Sequence, residues 1–241
     1  ILLLPGDTFA NRFPDPVLQQ VENFYSPTVT QNDSFKAVSK YFDRITRPEQ
    51  ILASLPQAVQ MMLDQADCGP ATISISQDVQ GEAFDYPEVF FDEQIHEIRR
   101  IHPDNNQLHK AAKVLKSSKQ PIIISGGGVL YSEAEKELSD FAKKHNIPVT
   151  STTMGIGCMH KDDPYYIGPI GCLGVGSSNS LSKDTDLALA VGTKLGDFTT
   201  GSWTNFQNPE FKLVSINVAR FDVTKHRATP LVSDAKVGLQ E

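Results

Sequence analysis

The sequence predicts an α/β protein whose parallel sheets are covered by helices, arranged as two successive units. Three observations carry this. Strand-like apolar runs alternate with helical stripes along most of the chain. A strand, a glycine turn and a helix follow one another at 121–135. Between the two series, residues 81–104 carry aromatics, Gly81, Pro87 and Pro103 without sustained periodicity, as a linker does. The 241 residues allow one large or two ordinary domains, with cores that need no metal or disulfide.

The first unit, 1–80, opens with Ile1, Leu2, Leu3 and Leu4, a buried strand without an initiator Met or polar leader. The chain is therefore expected to begin inside a domain and to be a fragment. A turn-rich stretch leads to a short strand at 27–30 and a helix over 34–45. Phe35, Val38, Phe42 and Ile45 form the helix's stripe and Asn32 or Asp33 its cap. A second helix starts at Pro48, buries Ile51, Leu52, Leu55, Val59, Met62 and Leu63, and should kink at Pro56. The strand 71–76 follows Gly69 and Pro70.

The second unit, 105–241, opens with a helix over 106–118 (Leu108, Ala111, Ala112, Leu115) and a strand at 121–125. The next helix, 133–145, has a capping box in Ser132 and Glu135 and carries Lys143, Lys144 and His145 at its negative end. Strands at 147–150, 187–191, 212–217 and 230–233 complete a doubly wound pattern.

Composition excludes several classes. A net charge of −7 with scattered basic residues leaves no footprint for nucleic acid. No apolar run approaches the ~20 residues of a membrane span. Cys68, Cys158 and Cys172 cannot all pair and show no CxxC spacing, which points to a reducing cytoplasm. His96, His102, His109, His145, His160 and His226 show no metal-ligand spacing, so no metal site is expected. There is no GxSxG elbow.

Gly126, Gly127 and Gly128, between strand and helix, suit a nucleotide-facing turn, but Tyr131 breaks the GxGxxG spacing and a packing turn is the alternative. Gly168, Gly171, Gly174 and Gly176 leave the same choice open. The strand ends carry Thr150, Ser151 and Asn217, not the acidic residue a ribose asks for. Asp7 and Asp197, each after a glycine at a strand end, could face a ligand or stabilise a turn.

The order of the motifs is more specific than any one of them. The run 31–40, residues 69–79, KQPIIISGGG (119–128), IPVTSTTMGIG (147–157), IGPIGCLG (167–174), DLALAVGTKLGDFTTG (186–201) and SDAKVGLQ (233–240) resemble the thiamine diphosphate enzymes related to acetohydroxyacid synthase. The resemblance covers essentially the whole chain. It implies the later half of a pyrimidine-binding domain over 1–80, a linker over 81–104, and a complete Rossmann-like middle domain over 105–241.

Within that family, the phrases at 2–20, 30–50 and 76–91 are similar to members that act on a small polyol-derived dione in myo-inositol breakdown. The resemblance places Gln31 in the lining of the active site, and Gly6 and Asp7 near the cofactor's pyrimidine end. Gln77 stands where acetohydroxyacid synthases carry a lysine. A neutral amide there suits a polyol better than an anionic keto acid.

The implied reaction is hydrolytic cleavage of a carbon–carbon bond in a cyclic 1,2-dione, with thiamine diphosphate and Mg²⁺ as cofactors of a homo-oligomer. The family's activating glutamate belongs before Ile1 and its metal-binding GDG motif after Glu241. The isolated piece is therefore expected to be inactive and to bind no cofactor. Two alternatives stay open: an acetolactate-type carboligase or decarboxylase, and a middle domain that binds FAD or ADP.

Overall fold

The computed structural model describes residues 1–11, 23 and 25–241, so part of the turn-rich stretch after the first strand lies outside the described residues. The chain divides into two units, Ile1–Ile98 and Arg99–Glu241.

In the first unit β1 (Leu2–Leu3), β2 (Gly6–Asp7), β3 (Tyr41–Ile45) and β4 (Ala71–Ser76) form a parallel sheet. Leu2 lies opposite Ala71, Leu3 opposite Thr72, Gly6 opposite Ile75 and Asp7 opposite Ser76. That constant register carries β1 and β2 along β4 as one line interrupted at Leu4 and Pro5. Strand β3 takes the other edge of β4, from Tyr41 opposite Ala71 to Ile45 opposite Ile75. The helix α1 (Ile51–Leu63) follows a 3₁₀ turn at Pro48–Gln50 and continues through Pro56. Its inward line is centred on Ser54 and Ala58, and Ala58 joins Ile45, Ala71, Ile73 and Val79 in a small core that Ile51, Leu55 and Met62 flank.

Two expectations fail here. The stretch 27–30 is a turn, closed by the Val29 N–H on the Ser26 carbonyl at 3.0 Å. The helix expected over 34–45 is instead a 3₁₀ helix, Gln31–Ala37, followed by β3. Its cap is Thr30, whose hydroxyl accepts the Asn32 N–H while Asp33 accepts the Thr30 N–H. The apparent helical stripe did not reckon with β4, whose second edge needs a partner. Tyr41, Phe42 and Ile45 suit a pleated strand, and Val38 is left exposed.

In the second unit α2 (Asn105–Lys116) precedes β5 (Pro121–Ser125), α3 (Gly127–Tyr131), α4 (Glu135–His145), β6 (Val149–Ser151) and β7 (Tyr166–Pro169). Then come α5 (Gly176–Asp184), β8 (Leu187–Val191), α6 (Asp197–Thr200), β9 (Lys212–Asn217), α7 (Arg220–Val223), β10 (Thr229–Val232) and α8 (Ala235–Gln240). All six strands are parallel, in the order β10-β9-β8-β5-β6-β7, which is the doubly wound dinucleotide-fold arrangement.

Alternation along the strands buries both faces. Ile123, Leu187, Leu189, Val191, Val214 and Ile216 meet Ala111, Leu138, Ala142 and Leu239 from the helices. Ile122, Ile124, Ala188, Ala190 and Leu213 face Ile170, Leu195, Trp203 and Phe206.

Here too the sequence misleads in places. Ser132 and Glu135 form no capping box: Ser132 ends α3, Glu133 adopts φ 52°, and α4 starts after Ala134 with no side-chain cap. The glycine turn starts a short helix of its own, and the left-handed Glu133 turns the chain so that Ala134 and Leu138 reach the core. Strand β7 lies inside a stretch that reads as loop, because Gly168 and Pro169 obscure it.

Candidate active site

Two places correspond to the residues singled out in the sequence: the carboxyl end of the first sheet, and the point in the second sheet where the strand order reverses.

At the first, Gly6 and Asp7 end β2, and the Gln77 N–H, one residue beyond β4, donates to the Asp7 carbonyl at 3.2 Å. Gln31 opens the 3₁₀ helix, and the next residue, Asn32, donates from Nδ2 to the Gly6 carbonyl at 2.6 Å and to Ser74 Oγ at 2.9 Å. The four residues thus gather around one strand end. Gly6, Gln31 and Gln77 are exposed, whereas Asp7 is wholly buried.

The Asp7 carboxylate faces inward to Arg44. Its Oδ2 accepts from Arg44 Nε at 2.7 Å and from Ser74 Oγ at 2.5 Å, and its Oδ1 accepts the Thr8 N–H at 2.8 Å. Arg44 Nη2 donates onward to Asp33 Oδ2 at 2.9 Å and Thr30 Oγ1 at 3.1 Å. Burial works against ionisation of Asp7, but the hydrogen bonds from Ser74, Arg44, Thr8 and Thr30 together hold its carboxyl below the ordinary value. For Asp33 burial again opposes, and Lys36, the Thr30 N–H and Arg44 bring it down to about 2. The same carboxylates raise Arg44 against the effect of its own burial. The hub is thus permanently ionised near neutrality and forms a fixed cross-brace.

Arg44, Asp33, Thr30, Asn32 and Ser74 were not singled out in the sequence as partners of Asp7. One signal was readable: Thr30 with Asp33 three residues later has the spacing of a reciprocal cap. Arg44 gave none, because its role depends on a strand that reads as helix.

At the second place the carboxyl ends of β5 and β8 lie side by side, and Gly126–Gly128 meets the backbone after β8. The Gly126 N–H donates to the Val191 carbonyl at 2.8 Å and the Gly128 N–H to the Gly192 carbonyl at 2.9 Å. A Cβ on Gly126 would stand 2.4 Å from the Gly192 carbonyl oxygen, and one on Gly128 2.6 Å from the Gly192 Cα. These glycines permit a backbone-to-backbone approach, and two of their amides are engaged by the chain itself. Gly127 faces Met154 instead. Strand β6 ends in Ser151, whose hydroxyl pairs with Tyr166 at 2.8 Å, so no carboxylate stands where a ribose would be read.

The glycine loop is tied down in a comparable way. Asn179 Oδ1 accepts the Gly171 N–H at 2.9 Å and its Nδ2 donates to the Gly171 carbonyl at 3.0 Å. Asp197 begins α6, exposed, after Gly196. Cys158, buried beside the turn, is pushed up to about 11 by burial, as an inert thiol would be. Among the described residues no three His, Cys, Asp or Glu side chains gather as metal ligands, and no helix is long and apolar enough to cross a membrane.

Comparison with known proteins adds the following. Residues 108–241 match the family described as thiamine pyrophosphate enzyme, central domain. A protein of Clostridium tetani named 3D-(3,5/4)-trihydroxycyclohexane-1,2-dione hydrolase is 46% identical over 239 residues, which are 99% of this chain and 37% of that protein. Proteins of the same name from Clostridium perfringens and Bacillus cereus are 45% and 44% identical, over 100% and 99% of this chain and 38% and 37% of theirs. The chain thus spans little more than a third of these relatives. A solved structure described as a thiamin diphosphate-dependent enzyme isolated from Mycobacterium smegmatis superposes with TM-score 0.61 at 22% identity, covering 83% of this chain and 38% of that one, a likeness of fold alone.

Proposed function

Because the chain belongs to the thiamine pyrophosphate enzymes through the central domain at 108–241, we propose that it works as part of a thiamine diphosphate-dependent hydrolase. Its substrate would be a cyclic, polyol-derived 1,2-dione, in which a carbon–carbon bond is cleaved. The observation that carries this is similarity to the dione hydrolases running at 46% identity through both units, beyond the family domain. The first unit offers a compatible surface: Gln31 and Gln77 are exposed near the end of β4. Each amide can both donate to and accept from a hydroxyl. A lysine at position 77 would favour an anionic keto acid, so the acetolactate reading has less support.

When bound, thiamine diphosphate supplies an electron sink for cleavage next to a carbonyl. The residues of this chain would orient the dione's hydroxyls and shape the rim. Mg²⁺ would pair with the diphosphate of the bound cofactor. A nucleotide on the second unit has less support, since two of the turn's amides already bond the chain's own carbonyls. The same reading includes a homo-oligomer in the cytoplasm, the compartment that three free cysteines suit.

The test is a full-length parent protein given thiamine diphosphate, Mg²⁺ and 3D-(3,5/4)-trihydroxycyclohexane-1,2-dione. The expected product is 5-deoxy-glucuronate. Acetolactate formed from pyruvate, with no turnover of the dione, would overturn the reading.

A further inference from the structure

We propose that Arg44 is a positioning residue for this reaction, holding the Gln31 turn and the Gly6–Asp7 strand end in a single arrangement; the proposal rests on the reading above. Arg44 leaves β3 on one side of β4 and reaches Asp7 on β2 at the other, Nε to Oδ2 at 2.7 Å. From the same guanidinium, Nη2 binds Asp33 at 2.9 Å and Thr30 at 3.1 Å. Gln31 follows Thr30 directly, and Asn32 on its other side is fixed by Gly6 and Ser74. The backbone of Gln31 is thus gripped from both neighbours.

Gly6 and Gln77 are held through the same centre, Gly6 by Asn32 and Gln77 by the Asp7 carbonyl. The guanidinium carbon lies 5.8 Å from the Phe42 ring centroid, which supports the planar group from its own strand. The arrangement needs a rigid fork. A lysine could meet Asp7 as a point charge but could not reach Asp33 and Thr30 with the same geometry.

The test uses the full-length enzyme with thiamine diphosphate and Mg²⁺, comparing wild type with Arg44→Lys. Lysine keeps a positive charge for Asp7 and removes the fork. The expected result is a fall of about 10- to 100-fold in kcat/KM for the dione, mainly through a raised KM, as loss of contacts that bind substrate and transition state alike produces. Hydrogen exchange should speed up at the amides of Thr8, Thr30 and Asn32, while the Ala71 amide at the far end of β4, bonded to the Ile1 carbonyl at 2.9 Å, keeps its protection.

Thr30→Val, which removes one acceptor of the fork while keeping shape, should shift both readouts in the same direction by less, and it serves if Arg44→Lys does not fold. Wild-type kinetics and exchange in both variants would overturn the proposal. So would activity lost together with protection across all of β4, since Arg44 would then serve stability alone. If wild type itself leaves the dione untouched, the assigned reaction falls and so does the kinetic arm, while unchanged exchange at residues 8, 30 and 32 would still count separately against Arg44 as the brace.

Discussion

The two sheets of this chain are fixed by opposite means. The second unit's six strands are locked by apolar side chains on both faces, with Ile122, Ile123, Ile124, Leu187 and Val191 among those without solvent exposure. The first unit has a small core, and the end of its sheet is fixed by the ion pairs of Arg44 with Asp7 and Asp33. Apolar burial is non-directional and specifies that strands pack. A hydrogen-bonded charge network, with one guanidinium shared by two carboxylates, also specifies where backbone atoms sit, at the cost of desolvation.

The contrast can be tested by breaking each device. The largest effect is expected from Arg44→Met, which strands the buried Asp7 charge: about 3–5 kcal/mol lost from the first unit. The unique Trp203 lies in the second unit. Amide exchange along β4 should report the loss, while Trp203 fluorescence stays at its wild-type midpoint in urea. Leu138→Ala should do the converse, costing about 2–5 kcal/mol and lowering the Trp203 midpoint without altering exchange on β4.

Gly128→Ala places a methyl against Gly192 backbone and should cost about 1–3 kcal/mol in the second unit, read by the same fluorescence. Had the turn served only an anion, the substitution would leave stability untouched.

The smallest effect concerns acid. Asp33 titrates at about 2 when folded against an ordinary 3.8, and Asp7 is displaced in the same direction. Protons therefore bind more readily to the unfolded chain, so this stabilisation is complete above pH 3.8 and is lost as the pH falls through about 2. Asp163 and Asp186 in the second unit are lowered too, but at turns. Protection on β4 should fade before Trp203 fluorescence changes. Simultaneous loss would mean that the hub adds no acid sensitivity of its own.

The same contrast explains what was legible in the sequence. Strands β5 and β8 are near-continuous apolar runs and β9 carries Leu213, Val214 and Ile216, and their boundaries at 121–125, 187–191 and 212–217 read directly. Strand β3 did not, because Tyr41 to Ile45 mixes aromatic, charged and apolar residues whose pairing is set by β4, about 30 residues away in the chain. Gln31 and Gln77 come from resemblance, and Gly126–Gly128 from a local pattern that already favours packing over a ligand, in keeping with their close approach to Gly192. Arg44 has no local signature: its partners are at positions 7, 30 and 33, and only the register of three strands assembles them.

The reversal of strand order in the second sheet also has a consequence for biosynthesis. Strand β5 ends at Ser125, and β8, which covers one of its edges along its whole length, starts at Leu187. At ~5–20 residues per second, a ribosome takes about 3–12 s to cover that interval. During that time the nascent chain carries Ile122, Ile123 and Ile124 on a strand with one uncovered hydrogen-bonding edge. The middle of the finished sheet is thus its most exposed part while the chain is being made, and a chaperone acting on the nascent chain would find its target there.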